Sequence, residues 1–168
     1  KIPASLATQV TKLAALMATA LSLFYSQAYL DRRRIHGGEY DILSMTMLLG
    51  ICVLVSANSL LTLYLGVELL SLSLYALVAF DRDSGIAAEA AIKYFVLGAI
   101  ASGALLYGMS MLYGLTGTLA LDKIATLSAA HGAGFVIAVA FIIVAVAFKF
   151  GAVPFHMWVP DVYHGAPA

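Results

Sequence analysis

Long apolar runs separated by short polar clusters make up almost the whole chain. Residues 13–30, 42–67 and 133–148 carry no charged side chain, and residues 60–80 carry one, Glu68. A bilayer hydrocarbon core about 30 Å thick is crossed by about 20 helical residues. The pattern therefore predicts an all-α, polytopic transmembrane helix bundle in a single transmembrane domain. Its five spans lie at about 6–30, 42–57, 60–80, 87–113 and 133–152, and the last is broken, with a short continuation over 154–163. Residues 42–80 as one helix would be ~58 Å long, so the chain must fold back. Ser56-Ala57-Asn58-Ser59 is the polar cluster available for that turn, with Asn58 or Ser59 as the N-cap.

The polar clusters set the remaining boundaries. Residues 31–41 (DRRRIHGGEYD) predict a loop ended by turn glycines, and Asp81-Arg82-Asp83-Ser84-Gly85 predicts another. Residues 114–132 form a mixed connector with Asp122, Lys123 and His131, partly a short surface helix. Gly151 and Pro154 interrupt the last run. Within the fourth span, Gly98/Ser102 and Ala99/Gly103 have small-xxx-small spacing, which suits close helix packing. Four loop arginines, Arg32 to Arg34 and Arg82, fall on one side of the predicted topology, and Lys1, Lys12 and Lys123 on the other. This bias places the arginine side in the cytoplasm. The chain begins at Lys1 and stops at Ala168, and both ends are expected to be cuts from a longer protein.

Composition agrees with the pattern. The 168 residues are 62% hydrophobic and 11% charged, with mean hydropathy +0.97, against about 45–50% apolar and about 25% charged in soluble domains. Nine basic and nine acidic residues cancel, leaving no field for nucleic acid. The single Cys52 excludes an internal disulfide and a cysteine-rich metal or iron–sulfur site. No His/Asp/Glu cluster has metal-ligand spacing, and no phosphate loop or dinucleotide fingerprint is present.

Candidate chemistry rests on charges inside the apolar runs. Glu68 falls on one helix face with Tyr64, Ser71 and Tyr75. Its structural alternative is a protonated acid bonded to a neighbouring helix; the functional reading is a carboxylate on an ion path. Lys149 sits just before the break. It is either a lysine reaching the interface or a charge at a discontinuous helix, where ion sites form. Lys93 follows Glu89 by four residues, the spacing of a surface ion pair. His156, after the break, is either a relay group, given an ordinary pKa of about 6.5, or a structural histidine. His36, His131 and His164 receive no role.

These residues also carry a resemblance. Residues 60–80 (LLTLYLGVELLSLSLYALVAF), 89–117 (EAAIKYFVLGAIASGALLYGMSMLYGLTG) and 148–168 (FKFGAVPFHMWVPDVYHGAPA) are similar to the antiporter-like membrane subunits of respiratory complex I, the NADH:quinone oxidoreductase. Within that family they are most similar to the N branch. The resemblance covers about residues 58–168; the first two spans match only in character. It implies fourteen transmembrane helices in two inverted five-helix repeats, of which this chain would be the third to seventh, with the seventh broken. By the same resemblance Glu68 and Lys149 are the essential pair of a proton path, Lys93 a lesser lysine, and further lysines lie beyond Ala168. The implied partners are other membrane subunits, including paralogues, and lipids, in the inner membrane of a bacterium. No cofactor is expected in this subunit; NADH, FMN, iron–sulfur clusters and quinone are implied for other parts of the complex. Alternatives are a subunit of a multisubunit Na⁺/H⁺ antiporter, a purely structural membrane subunit and, least supported, a generic solute carrier.

Overall fold

The computed structural model describes residues 5–33, 38–127 and 132–167. Lys1, Arg34, His36 and His131, which entered the sequence reading, lie outside them. The described residues form seven helices: α1 (Leu6–Arg33), α2 (Gly38–Val55), α3 (Leu60–Val78), α4 (Gly85–Thr116), α5 (Leu121–Leu127), α6 (Gly132–Lys149) and α7 (Val159–Gly165). Five of them, α1 to α4 and α6, are long and apolar enough to cross a membrane.

Local chemistry sets the helix ends. Ser59 caps α3, its hydroxyl accepting the Thr62 N–H at 3.2 Å. Ser84 caps α4 in the same way, accepting from Ala87 at 3.3 Å. Each hydroxyl satisfies a backbone donor that has no partner within its helix. The expected loop over 31–41 is shorter than its polarity suggested. Arg32 and Arg33 stay helical at the end of α1, and Glu39 and Asp41 form the first turn of α2. Cations at a helix C-terminus and anions at an N-terminus are favoured by the helix dipole, so polarity there prolongs the helices.

The loops on each side are tied together. The α2–α3 turn pairs with the connector after α4, through Leu60 N–H to Leu119 O at 2.9 Å and Leu121 N–H to Asn58 O at 3.1 Å. On the opposite side, Arg82 before α4 pairs with Glu39 of α2 at 2.5 Å. Between these belts, α2 packs on α3 and α4 on α6. Glycines make both contacts close. A Cβ on Gly50 would lie 2.6 Å from Leu70 N, one on Gly66 2.7 Å from Leu54 N, and one on Gly108 2.7 Å from Ala138 O. Of the small pairs predicted in α4, Gly98 and Ser102 face inward, whereas Ala99 and Gly103 face outward. α1 lies against α2 with most of its surface exposed, as Phe24 and Tyr25 show.

The predicted span over 133–152 ends as a helix at Lys149. The Gly151 N–H bonds to Phe148 O and the Ala152 N–H to Ala147 O, each at 2.9 Å, and Gly151 has φ 62°. This pairing, closed by a left-handed residue, is a Schellman motif. A turn then leads into α7, which packs on α4; Gly165 sits so close that its Cβ would lie 2.4 Å from that of Ala90.

Two predictions follow from these close approaches. Gly50→Ala should cost about 1–3 kcal/mol through overpacking, whereas Gly103→Ala, whose Cβ meets nothing within 4 Å, should be neutral or stabilising. Thermal unfolding of the full-length chain in detergent checks this; equal melting temperatures for the two variants would refute the packing account. Gly151→Ala should lose about 1–2 kcal/mol by forcing a side chain into left-handed backbone, with a further clash 2.7 Å from Val159 Cγ2. Unchanged melting would show that the turn tolerates another conformation.

Candidate functional site

Three helices meet around Lys149. α3 contributes Glu68, Ser71 and Tyr75, α4 contributes Gly98 and Ser102, and α6 ends at the lysine itself. The shared face predicted for Glu68, Ser71 and Tyr75 points into the bundle: Ser71 and Tyr75 are buried, and Glu68 is half-buried. Lys149 Nζ donates to Ser71 Oγ at 2.5 Å and to Ser102 Oγ at 3.3 Å. Ser71 in turn donates to the Val67 carbonyl at 2.7 Å. Both serines lie near the middle of their helices, so the amine is held within the bundle and does not reach out to an interface. The end of α6 adds a favourable term, because a helix C-terminus attracts a cation.

Glu68 stands one turn before Ser71 on α3. Its Oε1 is buried and has no hydrogen-bond partner. A buried carboxylate oxygen without a partner is costly. Lys149 and Glu68 form no direct ion pair. The ion pairs among the described residues are Arg82–Glu39, Lys93–Glu89 and Lys93–Asp161.

Aromatic rings buttress the lysine. Lys149 Nζ lies 5.9 Å from the centroid of the Tyr75 ring. Tyr75 meets Tyr94 edge-on at 4.7 Å, and Tyr94 stacks on Trp158 at 4.5 Å. Trp158 Nε1 then donates to the Phe148 carbonyl at 3.1 Å. That carbonyl also accepts from the Gly151 N–H, and the indole pins the segment after the break to the residue before Lys149.

The other sequence candidates lie apart from this cluster. Lys93 is half-exposed and bonds Glu89 at 2.8 Å and Asp161 at 3.3 Å, which ties α4 to α7. His156 is exposed in the turn before α7. Among the described residues, no group of three or more His, Cys, Asp or Glu side chains is placed to hold a metal ion. Sequence reasoning missed Ser102 as a partner of Lys149, having placed it only in a packing motif. It also missed Asp161 as a partner of Lys93. The available signal for Ser102 was a hydroxyl near the middle of a long apolar helix.

Comparisons with known proteins place the chain in a family. A family model described as "NADH:quinone oxidoreductase/Mrp antiporter, TM" matches residues 57–168. NADH-quinone oxidoreductase subunit N of Thioalkalivibrio sulfidiphilus is 57% identical over 164 residues, 95% of this chain and 34% of the relative. The protein of the same name from Thiobacillus denitrificans is 56% identical over 163 residues, with the same coverage. The chain thus spans about a third of the length of these curated relatives. Among solved structures, a chain of respiratory complex I from Thermus thermophilus with bound aureothin aligns with TM-score 0.69 and 32% identity over 95% of this chain and 43% of that chain. A chain of an archaeal membrane-bound sulfane sulfur reductase aligns with TM-score 0.72 and 35% identity over 76% of this chain and 26% of that chain. With five helices long and apolar enough to cross a membrane and a family model matching two of every three residues, the chain belongs to the NADH:quinone oxidoreductase/Mrp antiporter transmembrane family.

Proposed function

We propose that the chain is part of a proton-translocating membrane subunit of a bacterial NADH:quinone oxidoreductase, and that Glu68 and Lys149 carry the proton through this half of its path. The observation that carries the reading is an amine held at mid-bundle by two hydroxyls, with an unpartnered buried carboxylate oxygen one helical turn away. An intramembrane ionisable group points by default to an ion pathway. The shared name of the relatives supports the assignment to an NADH-quinone oxidoreductase subunit; the roles of Glu68 and Lys149 rest on the geometry.

Lys149 and Glu68 work in this proposal as a make-and-break pair. When the carboxylate approaches, it stabilises the ammonium. When the two separate, that stabilisation is lost and the proton moves on. A pair brought to about 4 Å at an effective dielectric near 20 interacts by ~4 kcal/mol. Moving one charge against about 150 mV requires ~3.5 kcal/mol. The two magnitudes match, so one such event is of the right size to move one proton. Lys93 and His156 are peripheral in the proposal, since both lie at the surface beside α7. Oxidation of NADH and reduction of quinone, with FMN and iron–sulfur clusters, belong to other subunits of the complex. This chain would sit among its paralogues and lipids in the inner membrane, arginine-bearing loops facing the cytoplasm.

In the intact complex assembled with the full-length subunit, Glu68→Gln and Lys149→Ala are each expected to reduce NADH-driven proton pumping about tenfold or more, given ~1.4 kcal/mol per tenfold. Lys93→Ala and His156→Ala are expected to reduce it less. Pumping in vesicles at the wild-type rate after either central substitution would defeat the assignment. Na⁺ exchange for protons without NADH would favour a Na⁺/H⁺ antiporter subunit instead, which the family description also covers.

A further inference from the structure

We infer that Ser71, Ser102 and the ring of Tyr75 form a charge-neutral seat for the Lys149 side chain, a resting position separate from Glu68, and that Gly98 is glycine so that Tyr75 can complete it. The inference rests on the proton-path reading above and specifies where the lysine goes when it is not paired with the carboxylate.

A lysine ammonium has three N–H donors and no acceptor. Inside an apolar bundle each donor needs a lone pair or an electron-rich face. The structure supplies these from two helices. Ser71 commits its own hydroxyl proton to the Val67 carbonyl at 2.7 Å, so its lone pairs are free to accept from Lys149 at 2.5 Å. Ser102 accepts a second bond at 3.3 Å. The Tyr75 ring lies 5.9 Å away, within the range at which a ring face attracts a cation. None of these groups carries a charge, and the one carboxylate on the same helix face is outside ion-pairing distance.

Gly98 is built into the same seat. A Cβ there would lie 2.0 Å from the Tyr75 hydroxyl and 2.7 Å from its Cζ. Both atoms belong to a ring held edge-on by Tyr94 at 4.7 Å and by Phe95 at 5.6 Å. The ring cannot swing aside without disturbing both neighbours, so any side chain at position 98 displaces Tyr75 from Lys149. Gly98 and Ser102, one turn apart, form one wall: the glycine admits the ring and the serine binds the amine.

The test uses the intact complex carrying the full-length subunit, with NADH-driven pumping in vesicles measured per assembled complex. The double variant Ser71→Ala, Ser102→Ala should pump about tenfold less, as expected for loss of hydrogen bonds to a charged group, and restoring a hydroxyl with Ser102→Thr in the Ser71→Ala background should recover part of the loss. At the ring, Tyr75→Leu should fall by a similar factor, and Tyr75→Phe, which keeps the aromatic face, should regain most of it. Wild-type pumping by the double alanine variant, or equal pumping by the leucine and phenylalanine variants, would overturn the seat if Lys149→Ala is inactive in the same assay. Wild-type pumping by Lys149→Ala would instead overturn the proton-path reading beneath it.

Discussion

A lysine amine inside an apolar bundle is the constraint on which the centre of this structure depends. Hydrocarbon offers an ammonium nothing, so each of its donors must be met by the protein. Three helices are arranged to do so. α3 and α4 each present a serine near mid-helix, and α6 stops at the lysine. Stopping there brings the negative end of the helix dipole to the charge. It also frees carbonyls that would be costly if left unpaired at this depth. The Schellman turn at Gly151 and the Trp158 indole satisfy those of Ala147 and Phe148. The break in α6, the left-handed glycine and the tryptophan thus answer one requirement.

The same requirement explains why the packing is tight where it is. Gly50 and Gly66 bring α2 and α3 to near backbone contact, and Gly108 does the same for α4 and α6. Hydrophobic burial contributes little between helices surrounded by lipid tails, so close packing must hold the bundle. The paired loops at one end and the Arg82–Glu39 bridge at the other fix the helix ends. An exposed ion pair of this kind contributes little to stability, so the register rests mainly on the close packing. Ser71 and Ser102 stand on different helices, and only a fixed register lets both reach one amine.

Most of the architecture was legible because a bilayer turns hydropathy into length. Five spans and the turn at residues 56–59 follow from counting apolar residues between polar clusters, and the break after Lys149 follows from Gly151 and Pro154. Helix ends were less legible. Polar residues such as Glu39 and Arg33 read as loop, yet they suit helix termini and lengthen the helices. The close α2–α3 interface was not legible at all. Gly50 and Gly66 lie on different helices, so no spacing within one run reveals that they face each other. In α4 the pattern offered two small pairs with equal spacing, and only packing distinguishes the buried Gly98 and Ser102 from the outward Ala99 and Gly103. The pairing of Ser102 with Lys149 needed the relative rotation of α4 and α6, which a single sequence does not encode in any local pattern. Glu68 and Lys149 stood out individually because charge in an apolar run is rare; their separation in this structure did not.

That separation bears on how such a site would work. A lysine locked to a carboxylate in a dry bundle is a structural salt bridge: breaking it leaves two uncompensated charges. A lysine with no partner but the carboxylate would have nowhere else to go. Here the amine has neutral partners, and the carboxylate oxygen one turn away has none. Two hydrogen bonds to a charged group contribute about 1.5–3 kcal/mol each, and an ion pair at about 4 Å contributes ~4 kcal/mol at a dielectric near 20. These sums are close, so in the proposed make-and-break pair neither arrangement would dominate by energy alone. Replacing either serine by a carboxylate would hold the charge more tightly but would remove that near-equality. Neutral hydroxyls are therefore the chemistry that the proposed holding and release of the lysine calls for.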